Sequence, residues 1–220
     1  MQKKIEMEDL GNYRKSYEKS QLLENSIPNN PIELFQIWFS ESKEANQLDE
    51  VNAMTLASMG LDGFPKSRVV LLKKISDEGF VFYTNYTSEK GKAIDANPNV
   101  CLSFFWQYLE RQVIIKGIAE KISTHESDTY FNSRPTGSKL GAIVSVQSEI
   151  IPSREFLDHK LKDLELESKG KDILRPLHWG GYIVKPVEIE FWQGRPNRLH
   201  DRIRFSKDIS SNWKIDRLSP

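Results

Sequence analysis

Apolar residues recur along this chain in two rhythms. Near the start, Asn30-Pro31-Ile32-Glu33 opens a helix: Asn is a good N-cap, Pro suits the first helical position, and an acid lies in the first turn. Leu34, Ile37 and Trp38 then fall on one helical face. From Val51 the period shortens to that of strands. Segments 53–58, 67–74, 80–84, 100–106 and 111–122 read as strands, with turn signals at Leu61-Asp62-Gly63 and Asp77-Glu78-Gly79. Such short links join antiparallel neighbours, because parallel strands need long crossovers. Segment 88–97, closed by Pro98, reads as a short helix. Ser123-Thr124-His125-Glu126 resembles a capping box that opens a helix through Phe131.

Two further helices are expected, at 141–146 and 153–168, the second with Phe156, Leu157, Leu161 and Leu164 as its apolar stripe. Strands at 182–184, 189–192, 198–205 and 213–218 complete the set. Residues 1–30 are polar and read as a partly flexible arm, leaving 31–220 as a single domain. The fold class is therefore mostly β with flanking helices, and an antiparallel barrel, closed or partly closed, removes the exposed strand edges.

Charge and composition narrow the functions. Lys plus Arg number 31, as do Asp plus Glu, and a balanced chain lacks the cation surplus that coats nucleic acid. Cys101 is the only cysteine, so no internal disulfide or thiolate metal cage forms. Met1 to Arg14 is charged and lacks the apolar core of a signal peptide, and no apolar run reaches membrane-spanning length. No membrane or nucleic-acid partner is expected, and the default setting is cytoplasmic.

Three stretches carry candidate chemistry. In a strand, Arg198, His200 and Arg202 share one side and Leu199 and Ile203 the other, with Trp192 of Phe191-Trp192-Gln193-Gly194 as a nearby aromatic wall. This is either an anion-binding face or a solvated one. Arg68 and Lys73 flank an apolar strand core, and their spacing of five puts them on opposite faces unless a bulge intervenes. Tyr130 and Arg134 are helix-face neighbours; Pro135 ends that helix or begins a turn, and Ser138 is a candidate cap for the next. A helix N-terminus beside an Arg and a Tyr hydroxyl makes a sound phosphate cradle. His125, His159, His178 and His200 are scattered without metal-ligand spacing, so no metal site is expected. No glycine-rich nucleotide loop or nucleophile elbow is present, so hard chemistry falls to a bound organic cofactor.

Together these segments closely resemble the pyridoxine (pyridoxamine) 5′-phosphate oxidase family of FMN enzymes. The resemblance runs from about Arg14 to Pro220. It rests on Arg68-Val69-Val70-Leu71-Leu72-Lys73, Phe82-Tyr83-Thr84-Asn85, Leu109-Glu110-Arg111-Gln112-Val113 and Ser133-Arg134-Pro135. Val146-Gln147-Ser148, Phe191-Trp192-Gln193-Gly194 and Arg198-Leu199-His200-Asp201-Arg202 add to it.

The resemblance implies a split-barrel fold and a homodimer with FMN at the interface. It implies oxidation of pyridoxine and pyridoxamine 5′-phosphates to pyridoxal 5′-phosphate, with oxygen reduced to hydrogen peroxide. By motif position, Arg68, Val69, Val70, Leu71, Leu72, Lys73, Tyr83, Thr84, Lys90, Gln112, Gln147, Ser148, Trp192 and Arg202 would hold FMN. Lys73, Tyr130, Arg134 and Ser138 would grip the substrate phosphate. Arg198 and His200 would sit against the reacting pyridine ring, and the Arg14 to Tyr17 arm would fold over the substrate. The chain departs from the family pattern at Ser88-Glu89-Lys90, where Ser-Arg-Lys is expected. Two other readings fit fewer of these residues: another split-barrel flavoprotein such as a flavin reductase, and a non-catalytic carrier of FMN or pyridoxal phosphate.

Overall fold

The computed structural model describes residues 8–220, so the first seven residues of the expected arm lie outside the described residues. Helix α1 (Pro31–Glu44) starts as expected, with the Asn30 side chain accepting from the Ile32 amide. It buries Leu34, Phe35 and Trp38, whereas Ile37 is exposed, so the apolar face is rotated from the expected one. Strands β1 (Ala53–Met59), β2 (Pro65–Leu71), β3 (Lys74–Ser76) and β4 (Gly79–Asn85) follow, then helix α2 (Glu89–Ala96), β5 (Asn99–Trp106) and β6 (Arg111–Lys121). Helix α3 (Thr124–Ser133) is capped by Ser123, whose hydroxyl accepts from the Glu126 amide. Helices α4 (Thr136–Val144) and α5 (Arg154–Glu167) lead to β7 (Trp179–Gln193), β8 (Asp201–Lys207) and β9 (Trp213–Leu218). Phe156, Leu157, Leu161 and Leu164 are the half-buried positions of α5, which is the stripe expected.

All strand pairs are antiparallel, in the order β2-β1-β5-β6-β7-β4-β3, with β8 and β9 branching from β7. The two ends of that order, β2 and β3, are consecutive in the chain. Between them the Leu72 amide donates to Asn52 while the Lys73 amide donates to Val81 in β4. The sheet thus curls back on itself and meets at a seam, the partly closed barrel expected. The segment expected as one strand over 67–74 is divided there, β2 pairing with β1 as far as Leu71 and β3 pairing with β4 from Lys74.

The two strands expected at 182–184 and 189–192 are one 15-residue strand, β7. Pro186, between the two expected strands, lies at a bulge where the β6 register shifts between Lys116 and Gly117. A proline fits there because the bulge needs no ladder amide. A side chain at Gly117 would bring Cβ within 2.5 Å of the Lys185 carbonyl, so the bulge also requires glycine opposite it. Before the bulge β7 pairs with β4; after it, with β8. This exchange of neighbours splits the barrel.

The core fills the curl, with α1 laid against it. Phe35 is fully buried, with ring centroids 4.9 Å from Phe80, 5.0 Å from Phe104 and 5.8 Å from Trp106. Among the described residues no helix is long and apolar enough to cross a membrane. Phe35→Ala would leave a cavity where β4, β5 and α1 meet. We expect it to lower unfolding free energy by about 3–5 kcal/mol, read from urea midpoints. A loss under about 1 kcal/mol would mean that α1 is not integral to the core.

Candidate active site

A cleft of about 740 Å³ opens at the barrel seam. Its walls include Arg68, Val69, Val70, Leu71 and Lys73 from the seam, Tyr83 and Thr84 from β4, and Lys90 from α2. Tyr130, Arg134, Ser138 and Gln147 close the other side. Four cations thus face the cleft, and no carboxylate lines it. Arg68 and Lys73, expected on opposite faces unless a bulge intervenes, both line one cavity: the ladder of β2 ends at Leu71, and Lys73 lies beyond it. Leu72 instead points into the core and is buried.

Each cation is held differently. Lys90 is buried and donates to three neutral oxygens, Gln147 Oε1 at 2.8 Å, Thr84 Oγ1 at 3.1 Å and Ser88 Oγ at 3.2 Å. Burial, followed by the charge of Arg68, pushes its ammonium down to about 8. Arg134 lies over the Trp179 ring at 4.6 Å, and its buried Nη1 has no hydrogen-bond partner. Burial also lowers the Arg134 pKa from its ordinary value. Tyr83 and Tyr130 stack at 3.8 Å and form, with Trp179, an aromatic floor; burial, then the neighbouring Tyr130, pushes the Tyr83 hydroxyl up to about 12. An unpaired guanidinium nitrogen and a lysine without a carboxylate partner are costly unless an anion completes them.

Two details of the expected cradle are corrected. Arg134 follows α3 in extended conformation, as a residue before proline prefers, and so shares no helix face with Tyr130. Ser138 lies inside the first turn of α4 and does not cap it, because that helix begins at Thr136 behind Pro135. Both side chains still line the cleft.

The remaining expected residues gather elsewhere. Gln112, Trp192 and Arg202 are paired across β6, β7 and β8 on the face turned from the core. Gln112 donates to Ser103, and Arg202 makes a two-pronged pair with Glu190 at 2.7 and 3.2 Å and donates to Ser219. The alternation expected over 198–205 fails at its start. Asn197 and Arg198 are left-handed, β8 begins at Asp201, and Leu199 is exposed while Ile203 is buried. His200 Nδ1 accepts from the Arg195 amide at 3.1 Å, and burial, then Arg198, lowers its pKa. Tyr17 packs against Trp192 at 5.7 Å and His200 at 5.8 Å. Arg14 is exposed and donates to the Gly11 carbonyl.

At the rim, Glu89 pairs with Lys66 at 2.8 Å and Arg68 at 3.4 Å, and its amide donates to Ser148. Ser148, left-handed, lines an adjoining pocket of about 360 Å³ with Glu89 and Gln147. Asn85, Ser145 and Trp179 also line the main cleft and were not expected. Asn85 closes the Phe82-Tyr83-Thr84-Asn85 motif, and Trp179 is an aromatic before Gly180-Gly181, so these two carried a hint.

A curled, split antiparallel barrel with a cationic cleft at its seam defines a split-barrel FMN-binding protein. A crystal structure of a pyridoxamine 5′-phosphate oxidase-related, FMN-binding protein from Nostoc punctiforme has this fold, with TM-score 0.70 at 14% identity over 88% of this chain and all of that one. PhzG from Burkholderia lata, solved with tetrahydrophenazine-1-carboxylic acid, is similar at TM-score 0.83 and 30% identity, covering 89% of this chain and 95% of its own.

Residues 41–167 match the family described as Pyridoxamine 5′-phosphate oxidase, and residues 179–220 match the Pyridoxine 5′-phosphate oxidase C-terminal dimerisation region. The pyridoxine/pyridoxamine 5′-phosphate oxidase of Flavobacterium johnsoniae is 68% identical over 97% of this chain and all of its own. That of Salinibacter ruber is 47% identical over 97% of this chain and all of its own. The chain belongs to the pyridoxine/pyridoxamine 5′-phosphate oxidase family. It is an oxidoreductase with FMN as cofactor, and its dimerisation region makes the assembly a homodimer.

Lys90 gives a pH test of the cleft's electrostatics. Its folded pKa of about 8 lies below the ordinary lysine value of 10.5, so between the two the unfolded chain binds more protons than the folded one. Stability of the FMN-free protein therefore rises with pH across that window relative to Lys90→Met. Urea midpoints of both proteins at pH 7.5 and 9.5 measure the difference. A constant difference would place the Lys90 pKa at its ordinary value.

Proposed function

We propose that the seam cleft holds both phosphates of the reaction, that of FMN and that of the B6 vitamer. The chain oxidises pyridoxine and pyridoxamine 5′-phosphates to pyridoxal 5′-phosphate with FMN. The observation that carries the proposal is the cleft's charge: Arg68, Lys73, Lys90 and Arg134 without one acid. Two phosphate monoesters bring roughly three to four negative charges at neutral pH, which four cations balance. The buried unpaired Nη1 of Arg134 and the carboxylate-free Lys90 fit phosphate oxygens as missing partners.

On this reading Arg68, Lys90, Thr84, Gln147 and Ser148 take the FMN phosphate, and the Val69 to Lys73 seam borders the flavin. Lys73, Tyr130, Arg134 and Ser138 take the substrate phosphate. Arg198 and His200 orient the pyridine ring, the neutral imidazole being favoured by the lowered His200 pKa. Tyr17 and Arg14 cover the ring from the arm. FMN supplies a two-electron acceptor when bound, and oxygen takes the electrons onward to hydrogen peroxide. The protein's work is to hold the reacting carbon against the flavin and to exclude water.

Gln112, Trp192 and Arg202 stand on an outward sheet face, apart from the cleft lining. That face also exposes Met59, Val69, Phe105 and Ile118, while their strand neighbours Ser58, Val70, Phe104 and Ala119 are buried. Apolar exposure on this scale favours an interface. FMN set between two copies would meet the cleft of one and this face of the other, and this supports the interface position of the flavin.

Pyridoxine 5′-phosphate should drive oxygen consumption by the yellow holoprotein, with one peroxide per turnover on an oxygen electrode with a peroxide assay. No oxygen uptake from FMN-loaded dimer would remove the oxidase reading. Arg134→Ala should raise KM for pyridoxine 5′-phosphate roughly tenfold to a hundredfold, the equivalent of about 1.5–3 kcal/mol, with kcat largely spared. Arg198→Ala should instead lower kcat. Equal small effects on both parameters in both variants would mean the two roles are misassigned.

Glu89 competes with the flavin phosphate for Arg68, so Glu89→Arg should tighten FMN binding modestly. Fluorescence titration at two salt concentrations reads it, and weaker binding would show that Glu89 assists the site.

A further inference from the structure

Glu110 is a buried acid at a left-handed backbone position, φ 56° and ψ 40°, in the β5–β6 connection. Glycine and asparagine favour that conformation, and for glutamate it is strained. Strain of this kind persists where surrounding contacts hold it. Here the contacts belong to two other segments. One carboxylate oxygen accepts from the Glu18 amide at 2.9 Å and the Lys19 amide at 3.1 Å, and the other faces Lys15 Nζ at 3.4 Å. The Glu110 carbonyl accepts from the Gly194 amide at 2.7 Å and from Gln193 Nε2 at 3.3 Å. One residue therefore ties the arm by its side chain and the loop before His200 by its backbone.

Tyr17 is the residue just before those two bound amides. Its ring lies against Trp192 and His200, which are themselves 4.7 Å apart. A Cβ built on Gly194 would stand 2.8 Å from Cβ and Cγ of Tyr17, so the close approach also needs glycine at that position. We propose that Glu110 is a positioning residue whose carboxylate seats the arm and so closes Tyr17 onto the Trp192–His200 pair. This rests on the reading above that the arm covers the substrate, and it adds the group that holds the cover shut.

Glu110→Gly tests the latch while relieving the backbone strain, so a collapsed turn does not explain its effect. Glu110→Gln keeps one oxygen for both amides and serves as the rescue. We expect trypsin to cut after Lys15 and Lys19 at least about tenfold faster in Glu110→Gly holoenzyme, since cleavage follows local opening. KM for pyridoxine 5′-phosphate should rise about tenfold with kcat changed less than about threefold, and FMN content should be unchanged. Glu110→Gln should return both readouts to near wild type. Gly194→Ala, which leaves the acid in place, should reproduce the KM rise by displacing Tyr17. In a Tyr17→Ala background Glu110→Gly should add nothing to KM.

Unchanged trypsin cleavage in Glu110→Gly would overturn the latch. Faster cleavage with unchanged KM would also overturn the proposed role. In that case a normal KM in Tyr17→Ala would locate the failure in the reading of the arm as substrate cover, and a raised one would locate it in Glu110.

Discussion

Leu72 and Lys73 send consecutive amides in opposite directions, one to Asn52 ahead of β1 and one to Val81 in β4, and the rest of the site is arranged around that division. Successive amides of a strand serve the neighbours on its two sides, so here the chain passes from pairing with β1 to pairing with β4. The barrel therefore meets itself at a seam where the first pairing ends and the second begins. The seam leaves side chains from β2, from the turn and from β4 facing one cleft. The first turns of α2 and α4 bring Lys90 and Ser138 to the same place. Opposite it, the Pro186 bulge releases the second half of β7 to β8, which builds the outward face bearing Trp192 and Arg202.

Four cations around one cleft repel one another when no anion is present, and only neutral groups soften that repulsion. Lys90 leans on Gln147, Thr84 and Ser88; Arg134 leans on the face of Trp179. Neither has a carboxylate within reach in the cleft lining. Acids lie outside the lining: Glu89 holds Lys66 and Arg68 at the rim, and Glu126 holds Lys74 at a separate pocket. These rim pairs are partly exposed and therefore weak, so Arg68 can exchange its partner for a phosphate at little cost. Such an arrangement trades stability of the empty protein for affinity, as functional sites commonly do.

Signals that act over a few residues were readable in the chain. The Asn30-Pro31 start, the Ser123–Glu126 box and the stripe of α5 all appear where local pattern put them. What pattern missed was set by distant partners. Pro186 lies between two expected strands, and only pairing with β6 shows it to sit at a bulge. Arg198 and His200 looked like alternate residues of a strand, but Asn197 and Arg198 are left-handed before β8, a conformation asparagine tolerates and arginine seldom adopts. Parity separated Arg68 from Lys73, and the seam reunited them. The site's membership was readable chiefly through family resemblance, because Asn85, Ser145 and Trp179 reach the cleft by tertiary packing.

A net charge of zero concealed the most functional feature of the chain, the sorting of its charges. The cations gather without acids in the cleft, while acids take the arm. Glu110 accepts the Glu18 and Lys19 amides, Asp201 accepts the Leu22 amide, and Glu24 pairs with Arg217, which also donates to Asp201 and to the Leu22 carbonyl. The arm is thus seated largely through its backbone, whose amides carry no side-chain identity. Its side chains matter where they pack: Leu22 enters the core, and Tyr17 lies against Trp192 and His200. Attachment and recognition are thereby separated: Glu110 and Asp201 hold the arm's backbone, and the Tyr17 ring meets Trp192 and His200.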